Sequence, residues 1–470
     1  MFLATRHRTH RGQSKIAHGA QFRNFVSVNE YWPAGCNSNQ HDIDNCWIHG
    51  VPVLISDGRL RATLALSLAA LLTRNAFATN GYFAAGYGVK AEGVAGVGIA
   101  FPQDTLAIAI NPAGLVDVPD SFDIGVDVFR PERNATIVQG GETSSYDGNS
   151  TKYFYIPALG YVHHFSQQLA AGFALYGNGG LNTDYSSNPF ARFGATGAAG
   201  VDLAQLFLSP TVSYALDRHN EFGLAVNLAY QRFKAKGIGV FGNFSQDPTA
   251  VSDQGYDSSY GIGVRLGYTW HLNEQFSAAV TWQSRTSMSR FTKYQGLFAD
   301  QGSFDIPSNY GVGLSYKPIA AWTIAVDWLE IRYSEVAAVG NPVNSLFSGV
   351  PLGASDGPGF GWRNVSVVKL GTAFQVNERW TVRAGYSDNR QPIPASQTFF
   401  NILAPGVVEP HATVGLTWKA SRTDEISLSY LHAFEHTVNG EGSIPPSLGG
   451  GEANLSLKED SLGISWSHRL

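Results

Sequence analysis

The chain has 470 residues and a formal net charge of −5, and only 15% of its residues are Asp, Glu, Lys or Arg. Average soluble domains carry about 25% charged residues, and nucleic-acid-binding domains are basic, so neither class fits. After the N-terminal leader no stretch approaches the roughly 20 apolar residues of a membrane helix, which excludes a helical membrane protein.

The N-terminal region combines an unpatterned leader with a secretion signal. Residues 1–58 lack any apolar period and contain both cysteines of the chain, and we interpret them as an unstructured leader from a misassigned start codon. Within residues 59–78, Arg59 and Arg61 precede a short apolar run that leads to Ala76-Phe77-Ala78. This is the layout of a secretory signal peptide, so we expect cleavage near Ala78.

The next segment, residues 79–119, differs in character from the rest of the chain. It holds apolar residues such as Val94, Val97 and Ile108 without strand alternation. Disordered segments are usually charged and poor in apolar residues, so this segment needs a surface to pack against. The lumen of the barrel predicted below would supply one, because its wall side chains cannot fill it. We therefore predict an N-terminal hatch over residues 79–119.

Residues 120–470 repeat the pattern of an amphipathic β-strand. Between Tyr260 and Leu272 every second residue is apolar, and the residues between them are Gly, Arg, Thr or His. A period of two indicates a strand with one apolar face. About fourteen such strands follow one another, an even number as in single-chain bacterial barrels. The predicted fold class is all-β, a transmembrane antiparallel β-barrel of about 14 strands with an N-terminal hatch plugging the lumen.

Linkers and tryptophans agree with this fold. Tight breaks, such as Asn273-Glu274-Gln275, alternate with long loops rich in Gly, Asn and Pro, such as residues 388–410. Bacterial barrels place the short turns in the periplasm and the long loops outside. Five tryptophans lie near short turns or the C-terminus, where indole rings form interfacial girdles: Trp270, Trp322, Trp380, Trp418 and Trp466.

The third strand contains a cluster of glycines. Phe173 to Tyr176 alternate regularly and are followed by Gly177, Asn178, Gly179 and Gly180. Glycines inside a strand mark bulges and bends. We predict a kink at Gly177, Gly179 and Gly180; the alternative is that the strand ends at Tyr176.

Two long loops carry aromatic clusters. One contains Phe190 and Phe193, and the other contains Phe399 and Phe400. Exposed apolar clusters in loops that are otherwise polar suggest a ligand groove. The alternative is that the loops pack on one another.

The inner face of the predicted wall carries basic residues. Strand alternation places Arg265, Lys369 and Arg383 there. Their side chains could bind a carboxylate head group, and they are candidate ligand-binding residues together with the four phenylalanines. The alternative is that they pair with one another or with the hatch.

The segment before the first strand resembles the hatch of a known family, the outer-membrane transporters of long-chain fatty acids and aromatic hydrocarbons (FadL/TodX type, OMPP1). The resemblance rests on Asn80 to Phe83, Gly86 to Lys90, Gly93 to Gly98, Pro102 to Asp104 and, most specifically, Asn111-Pro112-Ala113. It implies a hatch motif at Asn111, Pro112 and Ala113, a greasy groove in extracellular loops, and a kinked strand that opens the wall sideways. Leu470 departs from the terminal Phe or Trp that is usual in such barrels.

By this resemblance the protein is a channel for passive uptake of fatty acids or aromatic hydrocarbons, between which the sequence does not decide. The alternative is a general diffusion porin. A hydrolase would need a set of catalytic residues on one strand face, and we find none in this sequence, so we do not expect an enzyme. Expected partners are the hydrophobic ligand, outer-membrane lipid and lipopolysaccharide, and the barrel-assembly machinery. We expect a monomer in the outer membrane of a Gram-negative bacterium, with no nucleic acid, cofactor or metal.

Overall fold

The computed structural model describes residues 79–470, so the predicted leader (1–58) and signal peptide (59–78) lie outside the described residues. These residues form a closed antiparallel β-barrel of fourteen wall strands, which confirms the predicted fold class. Within the described part of the chain, no helix is both long and apolar enough to cross a bilayer.

The wall strands follow one another around the barrel in chain order. They are β1 (Ser121–Gln139), β2 (Phe154–His164), β3 (Leu169–Tyr185), β4 (Ala199–Ala215), β5 (Asn220–Lys236), β6 (Asp257–His271), β7 (Phe276–Gln283), β8 (Asn309–Ile319), β9 (Trp322–Ile331), β10 (Val365–Gln375), β11 (Trp380–Asn389), β12 (His411–Lys419), β13 (Asp424–Val438) and β14 (Glu452–Arg469). The last strand pairs with the first, from Glu452 opposite Val138 to Arg469 opposite Ser121. This seam closes the wall.

Short and long connections alternate as predicted. The six connections β2–β3, β4–β5, β6–β7, β8–β9, β10–β11 and β12–β13 are tight turns, and we call their side the short-turn end. The long loops at the other end contain short elements. These are two strands, Glu142–Asp147 and Ser287–Met288, and the helices Ala191–Phe193, Gly239–Phe244, Pro248–Ala250, Thr292–Tyr294, Ala299–Gly302, Tyr333–Glu335, Ala337–Gly340, Asn344–Phe347, Ala395–Gln397, Thr398–Asn401 and Pro446–Leu448.

Side chains on the wall alternate between an apolar outer face and a polar or small inner face. In β6, Tyr260 and Trp270 are exposed, whereas Arg265 and Thr269 are buried. The five girdle tryptophans are all exposed on the outer face. In a soluble protein the outer face is polar and the buried face is apolar. The reverse arrangement seen here matches a wall surrounded by lipid.

The hatch (residues 79–119) lies inside the barrel. It contains the short strands Thr79–Asn80 and Phe83–Ala84 and the helices Val89–Glu92, Thr105–Ala109 and Pro112–Asp117. Val94, Val97 and Ile108 are completely buried, and they pack there because the lumen-facing wall residues are small. The apolar residues that lack strand alternation are therefore packing residues of the hatch.

Candidate functional site

The Asn111-Pro112-Ala113 motif joins two parts of the hatch to the wall. The Asn111 side-chain oxygen caps the following helix by accepting a hydrogen bond from the Ala113 amide at 3.1 Å. Its side-chain nitrogen donates to the Ile99 carbonyl at 2.7 Å and to the Thr269 hydroxyl at 3.3 Å. Pro112 occupies the start of the helix, where its missing N–H leaves no hydrogen bond unmade.

Wall glycines provide the space in which this motif sits. At Gly267 of β6 a Cβ atom would overlap the side-chain oxygen of Asn111, and at Gly223 of β5 it would overlap the hatch backbone at Ala113. Only glycine lacks a Cβ. The glycine-rich inner face therefore follows from the close approach of the hatch.

The three basic residues of the inner face all contact the hatch. The Lys369 ammonium donates to the Ala85 carbonyl at 2.7 Å, and the Arg383 guanidinium donates to the Gln103 side chain at 2.7 Å. The Arg265 guanidinium donates to a hatch carbonyl at 3.0 Å. Each of these hydrogen bonds replaces a hydrogen bond to water that the cation lost on burial. These contacts agree with the alternative that the three residues pair with the hatch; a part in ligand binding stays a prediction.

A loop tyrosine binds the start of the hatch. The Tyr333 hydroxyl accepts hydrogen bonds from the backbone amides of Tyr82 at 3.0 Å and Phe83 at 3.2 Å, and its ring is buried. The sequence contains no signal for this contact, because its partners are separated by about 250 residues. It fixes the hatch at the loop end of the barrel.

Replacing Asp327 of β9 with Ala should loosen the hatch without unfolding the barrel. The Asp327 carboxylate accepts hydrogen bonds from the buried amides of Gly98 at 2.8 Å and Ile99 at 3.0 Å. Hydrogen bonds to a charged acceptor contribute about 1.5–3 kcal/mol each. We expect amide hydrogen exchange over residues 94–101 to accelerate roughly 150-fold, which corresponds to about 3 kcal/mol, the lower limit for two such bonds.

The control for this prediction is Asp327→Asn, which keeps an acceptor oxygen and should accelerate the exchange less. If exchange over residues 94–101 is the same in the parent and in Asp327→Ala, the docking of the hatch does not depend on this carboxylate.

The third wall strand bends at the predicted glycine cluster but does not end there. Its pairing with β4 passes from Gly177 to Gly179 with a register shift, so Asn178 is the extra residue of a β-bulge. Gly180 resumes regular pairing. The sequence prediction named the three glycines but did not name Asn178, the residue that forms the bulge. We call residues 177–180 the kink.

At the kink, β3 leaves β2 and turns to the hatch. Pairing between β2 and β3 runs only from His164 opposite Ala170 to Ala158 opposite Tyr176. Beyond this point, Gly179 pairs with Phe83 of the hatch. Beyond Tyr176, β3 therefore contacts the hatch and no longer pairs with β2. This leaves a gap in the hydrogen-bond ladder of the wall.

Asn178 connects the kink to the hatch and to the neighbouring strand. Its side-chain nitrogen donates to Gln205 at 3.0 Å, and its side-chain oxygen accepts from the Tyr87 hydroxyl of the hatch at 3.2 Å. Gln205 in turn donates to Gln231 at 3.2 Å. All three amide side chains are buried, so the extra residue of the bulge takes part in a satisfied polar network.

A pocket lies between the hatch and the wall directly beside the kink, and we call it the side pocket. Its lining includes Tyr87, Glu92, Asp127 and Tyr176. Burial, with the neighbouring Asp127 carboxyl second, raises the pKa of Glu92 well above its usual value. None of the described residues that line this pocket is basic.

A second pocket lies among the long loops, and we call it the loop pocket. It is lined by apolar residues: Val201, Phe233, Ile238, Phe241, Leu297, Phe298, Ala338, Leu352, Pro358, Gly359, Phe360, Phe400 and Leu403. The two predicted aromatic clusters meet beside it, with the ring centroids of Phe190 and Phe399 at 5.6 Å and those of Phe193 and Phe399 at 5.3 Å. Phe190 and Phe399 are fully buried. The loops therefore pack on one another and also enclose an apolar space.

The chain is similar in sequence and in structure to known outer-membrane proteins. The family model of the outer membrane protein transport protein (OMPP1/FadL/TodX) matches residues 70–460. The long-chain fatty acid transport protein of Escherichia coli K12 is 22% identical over 427 residues, which cover 81% of this chain and 93% of that protein. A putative outer membrane protein of Neisseria meningitidis serogroup B is 20% identical, with 86% and 99% covered. In solved structures, the Pseudomonas putida toluene transporter TodX superposes with a TM-score of 0.62 at 19% identity, covering 83% of this chain and 100% of that one.

Proposed function

Because the chain belongs to the outer membrane protein transport protein family (OMPP1/FadL/TodX), we propose that it admits uncharged hydrophobic molecules through the outer membrane without energy input. The observation that carries the proposal is the gap in the wall ladder at the kink, beside a pocket shared by wall and hatch. A closed barrel otherwise has no lateral opening, because each strand pairs with both neighbours.

The loop pocket is the proposed point of entry. Phe190, Phe193, Phe399 and Phe400 form an aromatic cluster at its edge, and Phe400 lines it directly. The free energy of an apolar molecule decreases when it leaves water for such a surface. Phe193 and Phe400 are partly exposed and are the proposed first contacts of the ligand. Phe190 and Phe399 are buried behind them and complete the apolar cluster.

The proposed exit is lateral, through the kink. A ligand in the side pocket lies between the hatch and Gly177, next to the segment where β3 has lost its β2 partner. Gly177, Gly179 and Gly180 permit the bend because they add no side chain at the gap. The molecule would leave directly into lipid and would never cross the aqueous periplasm in this step.

The charge of the pockets favours an uncharged ligand. The loop pocket has an apolar lining, and the side pocket presents the carboxyl groups of Glu92 and Asp127. Lys369 and Arg383 are occupied by the hatch. A carboxylate ligand would have to lose water without gaining a cation, which costs several kcal/mol. Toluene, named for the structural relative, meets this requirement better than a fatty acid, named for the Escherichia coli relative.

We expect the purified protein to bind a fatty alcohol at least about a hundredfold more tightly than the fatty acid of the same chain length at neutral pH, because about 2.8 kcal/mol of uncompensated charge separates them. Competition against a fluorescent apolar probe in detergent measures both affinities. The matched pair differs only in the head group, so chain length and detergent partitioning are controlled.

Tighter binding of the fatty acid would contradict the preference for uncharged ligands. Arg265→Gln then identifies the reason: if it removes the advantage of the acid, Arg265 is the head-group site and the hatch must release it on binding. If the double variant Phe399→Ser/Phe400→Ser binds both ligands more weakly by the same factor, this would support the loop pocket as their common point of entry.

A further inference from the structure

Three side chains with metal-binding chemistry meet at the short-turn end of the barrel. They are Asp117, the last residue of the hatch helix Pro112–Asp117, Glu221 at the start of β5, and His271 at the end of β6. Their ligand atoms all lie within 4.8 Å of one another. Short turns face the periplasm in bacterial barrels, so the cluster is open to that compartment.

The distances suit a small divalent cation. His271 Nε2 lies 3.0 Å from the Glu221 carboxylate and 3.6 Å from the Asp117 carboxylate. Zn²⁺ binds His nitrogen and carboxylate oxygen at about 2.0–2.2 Å in a tetrahedron, which separates ligand atoms by about 3.4 Å. The three atoms thus need only small shifts to share one ion.

The orientation of His271 prepares it as a ligand. Its Nδ1 lies 2.9 Å from the Ser277 hydroxyl of β7. When Nδ1 donates that hydrogen bond, Nε2 carries the lone pair and points it toward the two carboxylates. Metal-bound histidines are commonly fixed in this way through their other nitrogen.

A second observation also points to a cation-binding site. Glu221 is only 5% exposed, and its Oε2 atom has no hydrogen-bond partner within the described residues. A buried carboxylate oxygen without a partner is costly. Two carboxylates and an imidazole lone pair that face one another repel unless a positive charge lies between them.

We propose that Asp117, Glu221 and His271 bind a divalent transition metal, with Zn²⁺ as the best-suited ion. The fourth position is left to water, since Asp117 is exposed to solvent. The ion would fasten the end of the hatch to β5 and β6, whereas the contacts of Asn111 fasten its middle. The site thereby ties the hatch to the wall at the point where the chain enters the first strand.

Metal binding to the full protein, isolated from membranes and stripped with a chelator, tests the proposal. Titration with Zn²⁺ against a chromophoric competitor should reveal a site that His271→Ala and Asp117→Asn each weaken at least about tenfold. Ser277→Ala should weaken it by about tenfold through the loss of the orienting hydrogen bond. His432→Ala is the matched control, because His432 pairs with a single carboxylate, Asp460, at 2.8 Å.

The alternative is that a protonated His271 pairs with the two carboxylates and no metal is involved. Equal Zn²⁺ binding by the parent, His271→Ala and Asp117→Asn, or no Zn²⁺ binding by the parent, would overturn the proposal. Heat-modifiable migration on gels verifies that each variant is folded, and Asp117→Asn changes only an exposed side chain. Weaker Zn²⁺ binding in Asp117→Asn, His271→Ala and Ser277→Ala, with unchanged binding in His432→Ala, therefore reports on the site.

Discussion

Deleting residues 79–119 should convert a barrel that passes almost no ions into an open channel with a large, steady current. The wall forms its backbone hydrogen bonds between its own strands, including the closing seam, so it does not need the hatch to fold. The lumen-facing charges that the hatch now satisfies, such as Lys369 and Asp327, would be hydrated by the water that fills the lumen. Conductance in planar bilayers measures the result.

The control for the deletion is Gly267→Val. A side chain at this position overlaps Asn111, so this variant should displace the motif while the whole chain is retained, and its current should fall between those of the parent and the deletion. Unchanged conductance after deletion would mean that the hatch does not close the channel. A large current through the parent would instead support the general diffusion porin.

Removing the single residue Asn178 should straighten β3 and reduce uptake of the hydrophobic ligand by about tenfold or more, while assembly stays normal. The pairs Gly177 with Leu206 and Gly179 with Gln205 are already adjacent on β4. The deletion therefore restores regular register on both sides of the bulge. Cells that lack other transporters for the ligand, and that produce the variant at equal levels, provide the measurement.

Deletion is a sharper test than filling the glycines with β-branched residues. At Gly179 a Cβ would collide with the Tyr82 carbonyl, so Gly179→Val would disturb the hatch as well as the kink. Asn178→Ala is the matched control, since it keeps the bulge and removes only the amide bonds to Gln205 and Tyr87. Normal uptake by the deletion variant would mean that the ligand leaves past a displaced hatch into the periplasm.

Strand alternation was sufficient to predict the wall because it records a difference in solvent on the two faces. Outer residues such as Tyr260 meet lipid, while inner residues such as Thr269 meet the hatch, and this difference recurs in each strand. The same regularity predicted the alternation of turns and loops. The burial of Val94, Val97 and Ile108 is consistent with the predicted hatch, whose apolar residues lacked another surface to cover.

Contacts between distant parts of the chain could not be predicted in this way. Lys369 was expected on the inner face, but its bond to the Ala85 carbonyl depends on how the hatch folds in three dimensions. Tyr333 and His271 lie in a loop and at a strand end, where no period marks a partner. The bulge at Asn178 depends on pairing with β4, which a single strand's sequence does not reveal.

The seam between the first and last strands also fixes an order of events. β1 and β14 are more than 300 residues apart in the chain, so this pairing has the largest loop to close and is the last that the polypeptide can complete. The hatch precedes β1 and is synthesised before any wall strand. Its placement inside the ring is therefore compatible with wrapping the wall around it, strand by strand, and no finished cylinder needs to be threaded.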